Sequence, residues 1–172
     1  VVVEEVKNRW CVDPNKVPML IYTNMVRDKQ DGVNEILNGN KKFKWKDAYI
    51  QAGISVVDST SGKIMAIGAG RNRKTGDWNY ATDTNRQIGS TAKPLFDYAP
   101  GMEYNNWSTY TLFDDEKGYT YSNGKSINNF DGRWEGIITL RRALSNSRNI
   151  PALKAFQQVD NKKIVELVTS VG

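Results

Sequence analysis

The sequence contains no histidine and a single cysteine, Cys11. Without an imidazole, neither a Ser-His-Asp nor a Cys-His nucleophile can be assembled from this chain. The commonest metal ligand is missing too, and one thiolate cannot replace it, so no metal and no cofactor is expected. The lone cysteine closes no internal disulfide. No apolar run approaches the roughly twenty residues of a bilayer-spanning helix, and no signal peptide is visible. There are no internal repeats and no low-complexity segment. The net charge of +5 is spread along the chain, which argues against nucleic-acid binding. The remaining composition, 39% hydrophobic and 25% charged over 172 residues, is that of an ordinary domain with a sizeable core. The chain begins at Val1 rather than at methionine, as expected of a trimmed or processed piece.

In a chain without histidine, a serine nucleophile must use lysine as its base, or a carboxylate acting through water. The stretch Arg86-Gln87-Ile88-Gly89-Ser90-Thr91-Ala92-Lys93-Pro94 offers the first pairing. Gly89 permits a tight turn, and Pro94 cannot sit deep in a helix, so a helix is predicted to start close to Ser90. Residues three apart share a helix face, which lets the Ser90 hydroxyl meet the Lys93 amine. A neutral Lys93 could then take the proton of Ser90. About one S-x-x-K is expected by chance in a chain with this much serine and lysine, so context decides. The second match, Ser122 and Lys125, lies in Tyr-Ser-Asn-Gly-Lys-Ser, a turn composition with no helix to align the pair.

Residues 1–12 carry Val2, Val3, Val6 and Trp10 at helical spacing. Residues 17–25 read as a strand, and residues 28–37 as a helix stopped by Asn38-Gly39-Asn40. In residues 41–46, lysines at 42, 44 and 46 alternate with Phe43 and Trp45. This reads as a solvated edge with its aromatics against the body rather than a membrane-surface or nucleic-acid patch, because four lysines alone bind weakly. Residues 49–70 alternate on either side of Asp58-Ser59-Thr60-Ser61-Gly62 and predict a β-hairpin. Residues 71–85 form a polar loop. Residues 101–134 are turn-rich, a composition common in loops that line clefts. Thr139 caps a helix with Leu140, Ala143 and Leu144 on its buried side. Pro151 opens another helix to about Gln158, and Asp160 caps a last one ending at Gly172.

Between the helices predicted at 139–147 and 151–158 stands Ser147-Arg148-Asn149, an S-x-N. Its hydroxyl could relay a proton to a leaving group, and its amide could hold a peptide-like substrate. Taken alone, the same residues read as helix caps, and Ser126-Asn128 matches the pattern equally well.

Taken in order, four segments resemble the transpeptidase domain of class A, bifunctional penicillin-binding proteins. They are the hairpin GISVVDSTSGKIMAIGAG, Asn79-Tyr80-Ala81-Thr82, RQIGSTAKP, and Leu144-Ser145-Asn146-Ser147-Arg148-Asn149-Ile150-Pro151. The resemblance covers residues 49–172, taken as the N-terminal portion of that domain. More loosely, Val17-Pro18-Met19-Leu20-Ile21-Tyr22-Thr23 resembles the linker that joins it to a glycosyltransferase domain, and residues 1–48 are taken as a linker or interdomain region. What the resemblance implies is an α+β, β-lactamase/transpeptidase-like fold, with an antiparallel sheet flanked by helices plus an all-helical lobe, present only in part. The hairpin would supply two strands of that sheet, the Ser90 helix would lie at the sheet–lobe boundary, and residues 139–172 would belong to the lobe.

The implied activity is a D,D-transpeptidase that cross-links peptidoglycan stem peptides. Ser90 would attack the D-Ala-D-Ala carbonyl, Lys93 would be its base, Ser147 would shuttle a proton, and Asn149 would bind the substrate amide and orient Lys93. β-Lactam antibiotics would acylate Ser90 as substrate mimics. The implied location is the extracytoplasmic face of a bacterial cell membrane, with membrane contact through parts outside this sequence. The chain departs from the family pattern at Ile88, where proline is usual, and at Ala92, where a large apolar residue is usual. The family's third motif, K-T-G or K-S-G on a strand after S-x-N, is missing. Lys74-Thr75-Gly76 spells it but precedes Ser90, and order along the chain fixes a strand's place in a sheet. The oxyanion hole needs an N–H from that strand, so these 172 residues alone are expected to be inactive and to need the rest of the domain, from the same parent protein. The rival readings are a serine β-lactamase or D,D-carboxypeptidase of the same superfamily, a non-catalytic penicillin-binding sensor or scaffold, and an unrelated cell-wall binding module.

Overall fold

Glu4 and Glu5 in its first turn and Lys7 and Arg9 in its last complement the dipole of α1 (Val2–Trp10), the helix expected from the spacing of residues 1–12. The computed structural model describes residues 1–40, 43–74 and 76–171, and the chain forms two units, Val1–Arg86 and Gln87–Gly172. Lys41 and Lys42 of the basic segment, Thr75 of Lys74-Thr75-Gly76, and Gly172 lie outside the described residues.

In the first unit, residues 17–25 form no strand. Leu20 and Tyr22 are 85% and 91% exposed, and nothing there buries an apolar face. The segment meets the hairpin where it ends, as Val26 N–H donates to Met65 O at 2.9 Å. α2 (Arg27–Asn38) follows and stops at Gly39, whose φ of 81° turns the chain away. Its buried Val33 and Leu37 pack on the predicted hairpin, formed by β1 (Ile54–Val57) and β2 (Ile64–Gly68). These strands pair antiparallel from Ile54 opposite Gly68 to Val57 opposite Ile64. A Cβ at Gly68 would lie 2.5 Å from both Val33 Cγ1 and Leu37 Cδ1, so helix and strand approach this closely because the residue is glycine. Gln30 stands in for a missing strand. Its Nε2 donates to Ile67 O at 2.9 Å and its Oε1 accepts Ile67 N–H at 3.0 Å, which covers the outer edge of β2. Trp45 packs against this core and donates to Ile36 O at 2.9 Å, so this aromatic does turn inward.

In the second unit the predicted helix at Ser90 begins in a different form. Gly89–Ala92 is a 3₁₀ turn, Lys93–Tyr98 is π-helical, and α3 (Ala99–Tyr104) completes the run. Two prolines explain it. Pro94 and Pro100 each lack the N–H of an i→i−4 bond, and between them Ala99 N–H reaches Pro94 O instead.

Residues 101–134, read as loop, contain the end of α3 and then β3 (Leu112–Asp115). β3 pairs antiparallel with β4 (Gly136–Thr139), with Phe113 opposite Ile138. Among the described residues each sheet has two strands. The helices at the C-terminal end follow their caps. Thr139 Oγ1 accepts Arg142 N–H to open α4 (Leu140–Ser145), and Asp160 Oδ1 accepts Lys162 N–H at 2.7 Å to open α6 (Asn161–Ser170). Between them lies α5 (Asn149–Gln157), with Pro151 in its first turn. The core of this unit joins Tyr98, Phe113, Ile138, Leu140, Ala143, Ala152 and Ala155. Phe113 takes edge-on contacts from Tyr98 and Trp107, with centroids 6.1 Å and 5.1 Å away. A Cβ at Gly101 would fall 1.9 Å from the Trp107 ring, so only glycine admits the indole there.

Candidate active site

Ser90 lies on the exposed 3₁₀ turn, and its hydroxyl has no hydrogen-bond partner among the described residues. Lys93, one turn on, is only 7% exposed. Its amine donates to Ser147 O at 2.6 Å, Ser147 Oγ at 3.0 Å and Asn149 Oδ1 at 2.6 Å. The structure therefore brings Lys93, Ser147 and Asn149 together from segments more than fifty positions apart. No side-chain hydrogen bond joins Ser90 and Lys93, the pairing expected from a shared helix face. An ammonium has three N–H donors, and all three are engaged at residues 147 and 149. What links the pair is backbone: Lys93 N–H donates to Ser90 O.

Residues 147–149 form the corner between α4 and α5. Ser147 N–H closes on Leu144 O at 3.0 Å and Arg148 N–H on Ala143 O at 2.9 Å, ending α4. Ser147 then takes a φ of 51°, a left-handed conformation rarely adopted by serine. That backbone presents both its carbonyl and its hydroxyl to Lys93. Asn149 Nδ2 donates to Asn128 O at 2.7 Å, which fixes the amide so that its oxygen is the atom facing Lys93.

Burial lowers the pKa of Lys93, and Asp97, one turn further along the same helix, opposes this. Burial likewise raises the Asp97 carboxyl to about 6, with Lys93 pulling it back. The oxygens bonded to Lys93 carry no formal charge, so nothing in its hydrogen-bonding shell compels the amine to stay protonated.

Sequence reasoning passed over several residues of this region. Arg148, the middle residue of Ser-Arg-Asn, is 5% exposed and meets Asp131 at 2.8 Å, Glu135 at 2.5 Å and Asp115 at 3.5 Å. Asn129 accepts Asn149 N–H at 2.8 Å and donates to Asp115 Oδ1 at 2.8 Å. No local motif marks these residues. The nearest signal is an arginine flanked by two polar site candidates in a chain with acidic residues 13 to 33 positions upstream. The set-aside pair Ser122 and Lys125 lies in a tight turn where Tyr121 N–H donates to Lys125 O and Gly124 N–H to Tyr121 O, each at 2.9 Å.

A family model described as the penicillin binding protein transpeptidase domain matches residues 52–172. Penicillin-binding protein 1A/1B of Bacillus subtilis (strain 168) is 43% identical over 171 residues, which cover 99% of this chain and 18% of that protein. Penicillin-binding protein 1A of Streptococcus pneumoniae is 33% identical over 159 residues, covering 90% of this chain and 22% of that protein. The chain thus spans about a fifth of the length of these curated relatives. The structure of the penicillin-binding protein PonA1 from Mycobacterium tuberculosis shares the fold, with a TM-score of 0.83 at 18% identity, over 99% of this chain and 43% of that one. The α+β, transpeptidase-like fold expected from the sequence, present only in part, is the one observed, its strands forming two small antiparallel sheets among the described residues.

Proposed function

This chain belongs to the penicillin-binding protein transpeptidase domain family, and we propose that it carries the nucleophile and proton-transfer groups of a D,D-transpeptidase acting on peptidoglycan stem peptides. The observation that carries this reading is the meeting of Lys93 with Ser147 and Asn149, one turn from an exposed serine with an uncommitted hydroxyl.

The chemistry follows from the donors and acceptors. Once Lys93 has lost a proton it keeps two N–H donors, enough for Ser147 O and Asn149 Oδ1, its two 2.6 Å partners. Its lone pair is then free of the longer, 3.0 Å bond to Ser147 Oγ. Once the Ser90 hydroxyl turns toward it, that lone pair takes the Ser90 proton as Ser90 Oγ attacks the D-Ala-D-Ala carbonyl. The proton passes through the Ser147 hydroxyl to the amine of the departing D-alanine. An ester remains on Ser90; the amine of a second stem peptide attacks it, the amine's proton passes back through the Ser147 hydroxyl and Lys93 to Ser90 Oγ, and cleavage of the ester C–O bond leaves the cross-link and the free serine. A β-lactam acylates the same oxygen. Its amine stays tethered after ring opening, so no leaving group departs to make way for the acceptor. Asn149 orients Lys93 and, when its amide turns from Asn128, binds the substrate's peptide group.

Residues 1–48 are proposed as an interdomain linker and 49–172 as the first part of the transpeptidase domain. The oxyanion hole would be completed by a later strand outside these residues, so the 172 residues alone are expected to turn over no substrate. The proposed location is the outer face of the bacterial cell membrane. No helix among the described residues is long and apolar enough to cross a membrane, so attachment would come through other segments.

The test is labelling of the full-length protein with a fluorescent penicillin, with the adduct located by mass spectrometry. The expected adduct is an ester on Ser90, absent from Ser90→Ala. Labelling that persists in Ser90→Ala, or an adduct on another residue, would falsify the assignment.

A further inference from the structure

Arg148 stands between two residues of the proposed site, yet the proposed chemistry leaves it without a task. Its guanidinium engages a separate set of partners. Nε lies 3.5 Å from Asp115 Oδ2, and the terminal nitrogens reach Asp131 Oδ1 at 2.8 Å and Glu135 Oε1 at 2.5 Å. Asp115, fully buried at the end of β3, also accepts Glu135 N–H at 3.1 Å and Asn129 Nδ2 at 2.8 Å. Asn129 in turn holds Asn149 N–H at 2.8 Å. The corner is therefore tied to β3 and the 129–135 loop at two consecutive residues, through the side chain of 148 and the backbone of 149.

A buried ion cluster is a poor source of stability, since apolar residues of similar volume often do as well or better. Its attested use is to fix one geometry, and Ser147 supplies the need. Its left-handed backbone costs on the order of 1 kcal/mol or more and persists only where the surroundings over-determine it. In this conformation Ser147 directs both its carbonyl and its hydroxyl at Lys93.

We propose that Arg148, gripped by Asp115, Asp131 and Glu135, is a positioning residue that holds Ser147 and Asn149 against Lys93 and thereby keeps that amine dry and aligned. The proposal rests on the reading of Ser90 as nucleophile and Lys93 as base. Among the described residues the charged group facing Lys93 is Asp97 on its own helix. The elements packed around that helix turn their charges elsewhere: Asp115 of β3 to Arg148, Arg142 of α4 to Glu135, Lys154 of α5 to Glu116, and Lys163 of α6 to the Tyr104 ring. A loosened corner would therefore act on Lys93 mainly by admitting water.

The experiment compares acylation by a fluorescent penicillin in the full-length wild type and Arg148→Lys from about pH 6 to about pH 9. Lysine keeps one charge but cannot fork to three carboxylates. The acylation rate is expected to fall about 10- to 100-fold near neutral pH, as for a misplaced catalytic group. The deficit should narrow as pH rises, because a wetter Lys93 returns toward its ordinary range and is neutral only at higher pH. A loss that is the same at every pH and follows the folded fraction seen in thermal unfolding makes Arg148 merely structural and overturns the proposal. An unchanged rate does the same. Asn129→Ala, which frees Asn149 N–H, should give the same narrowing deficit at smaller size, and it decides the matter if Arg148→Lys does not fold. Ser90→Ala runs alongside. Labelling that survives it removes the acyl-enzyme reading itself, whereas a wild-type pH profile in Arg148→Lys with Ser90 labelling intact removes only the positioning role.

Discussion

Lys93 and Arg148 are 7% and 5% exposed and meet the same corner of the chain, but their partners differ in kind. Lys93 is bonded to two carbonyl-type oxygens and a hydroxyl, whereas Arg148 is met by three carboxylates. Burial works against both charges. At Arg148 the hydrogen bonds of Glu135 and Asp131 outweigh it and raise the pKa, while at Lys93 burial prevails and lowers it. Equal burial thus produces one permanent ion and one amine able to exchange a proton. A base must be able to lose its proton, and an anchor must not.

The sharpest way to break this comparison is to remove each cation in turn. Arg148→Met strands the fully buried Asp115 carboxylate without its cation, beside part-exposed Glu135 and exposed Asp131, and is expected to cost about 3–5 kcal/mol in urea unfolding. Lys93→Met leaves uncharged hydrogen-bond partners, of which the Ser147 hydroxyl can turn to water, and the Asp97 carboxyl, which burial already pushes toward its neutral form, and is expected to cost less than about 2 kcal/mol. Equal costs for the two variants would show that the two environments do not differ as described.

A smaller effect lies in the carboxylates beside each cation. The Asp97 carboxyl is raised to about 6 by burial, against Lys93. The unfolded chain ionises it first, so its contribution is present below about pH 4 and is lost as pH rises to about 6. Glu135 is held at about 2 by hydrogen bonds from Arg142, then Asn146, then Arg148. Its contribution is present above its ordinary value and is lost as pH falls toward about 2. Asp97→Asn should flatten the first slope in a stability-versus-pH series and, by removing the charge that opposes the lowering of Lys93, move the acid limb of acylation to lower pH. Glu135→Gln should flatten the second slope. Slopes of the same sign at both carboxylates would sink this account.

The smallest effect comes from outside both sets of partners. Thr139→Ala removes the cap of α4 and is expected to cost about 1 kcal/mol, with no change in the pH dependence of acylation. A shift in that profile would mean the corner is held by α4 rather than by the ion cluster.

Most of the regular structure was legible because its causes are local. Hydrophobic spacing and a glycine stop mark α2, alternation around Asp58–Gly62 turn residues marks the hairpin, and Thr139 and Asp160 mark α4 and α6. β3 was not legible, because the position that alternation should fill with an apolar residue holds Asp115, a carboxylate tolerated there through Arg148, Asn129 and the Glu135 N–H. Nor were residues 17–25. Their strand-like composition is real, but a ladder needs a neighbour, and Gln30 and Val26 already occupy the edge of β2.

For the candidate site the division is similar. By itself the sequence determined which residue types are available: without histidine a serine must turn to lysine or to a carboxylate acting through water, and Ser90, Lys93, Ser147 and Asn149 are the candidates that the family resemblance implies. Only the tertiary structure decided that Lys93 spends its donors on the 147–149 corner instead of Ser90, and that Arg148 ties this corner to β3. The reason is physical. Propensity and spacing act over a few residues, whereas the burial and partners that set a charge come from segments tens of positions away, whose meeting no local pattern records.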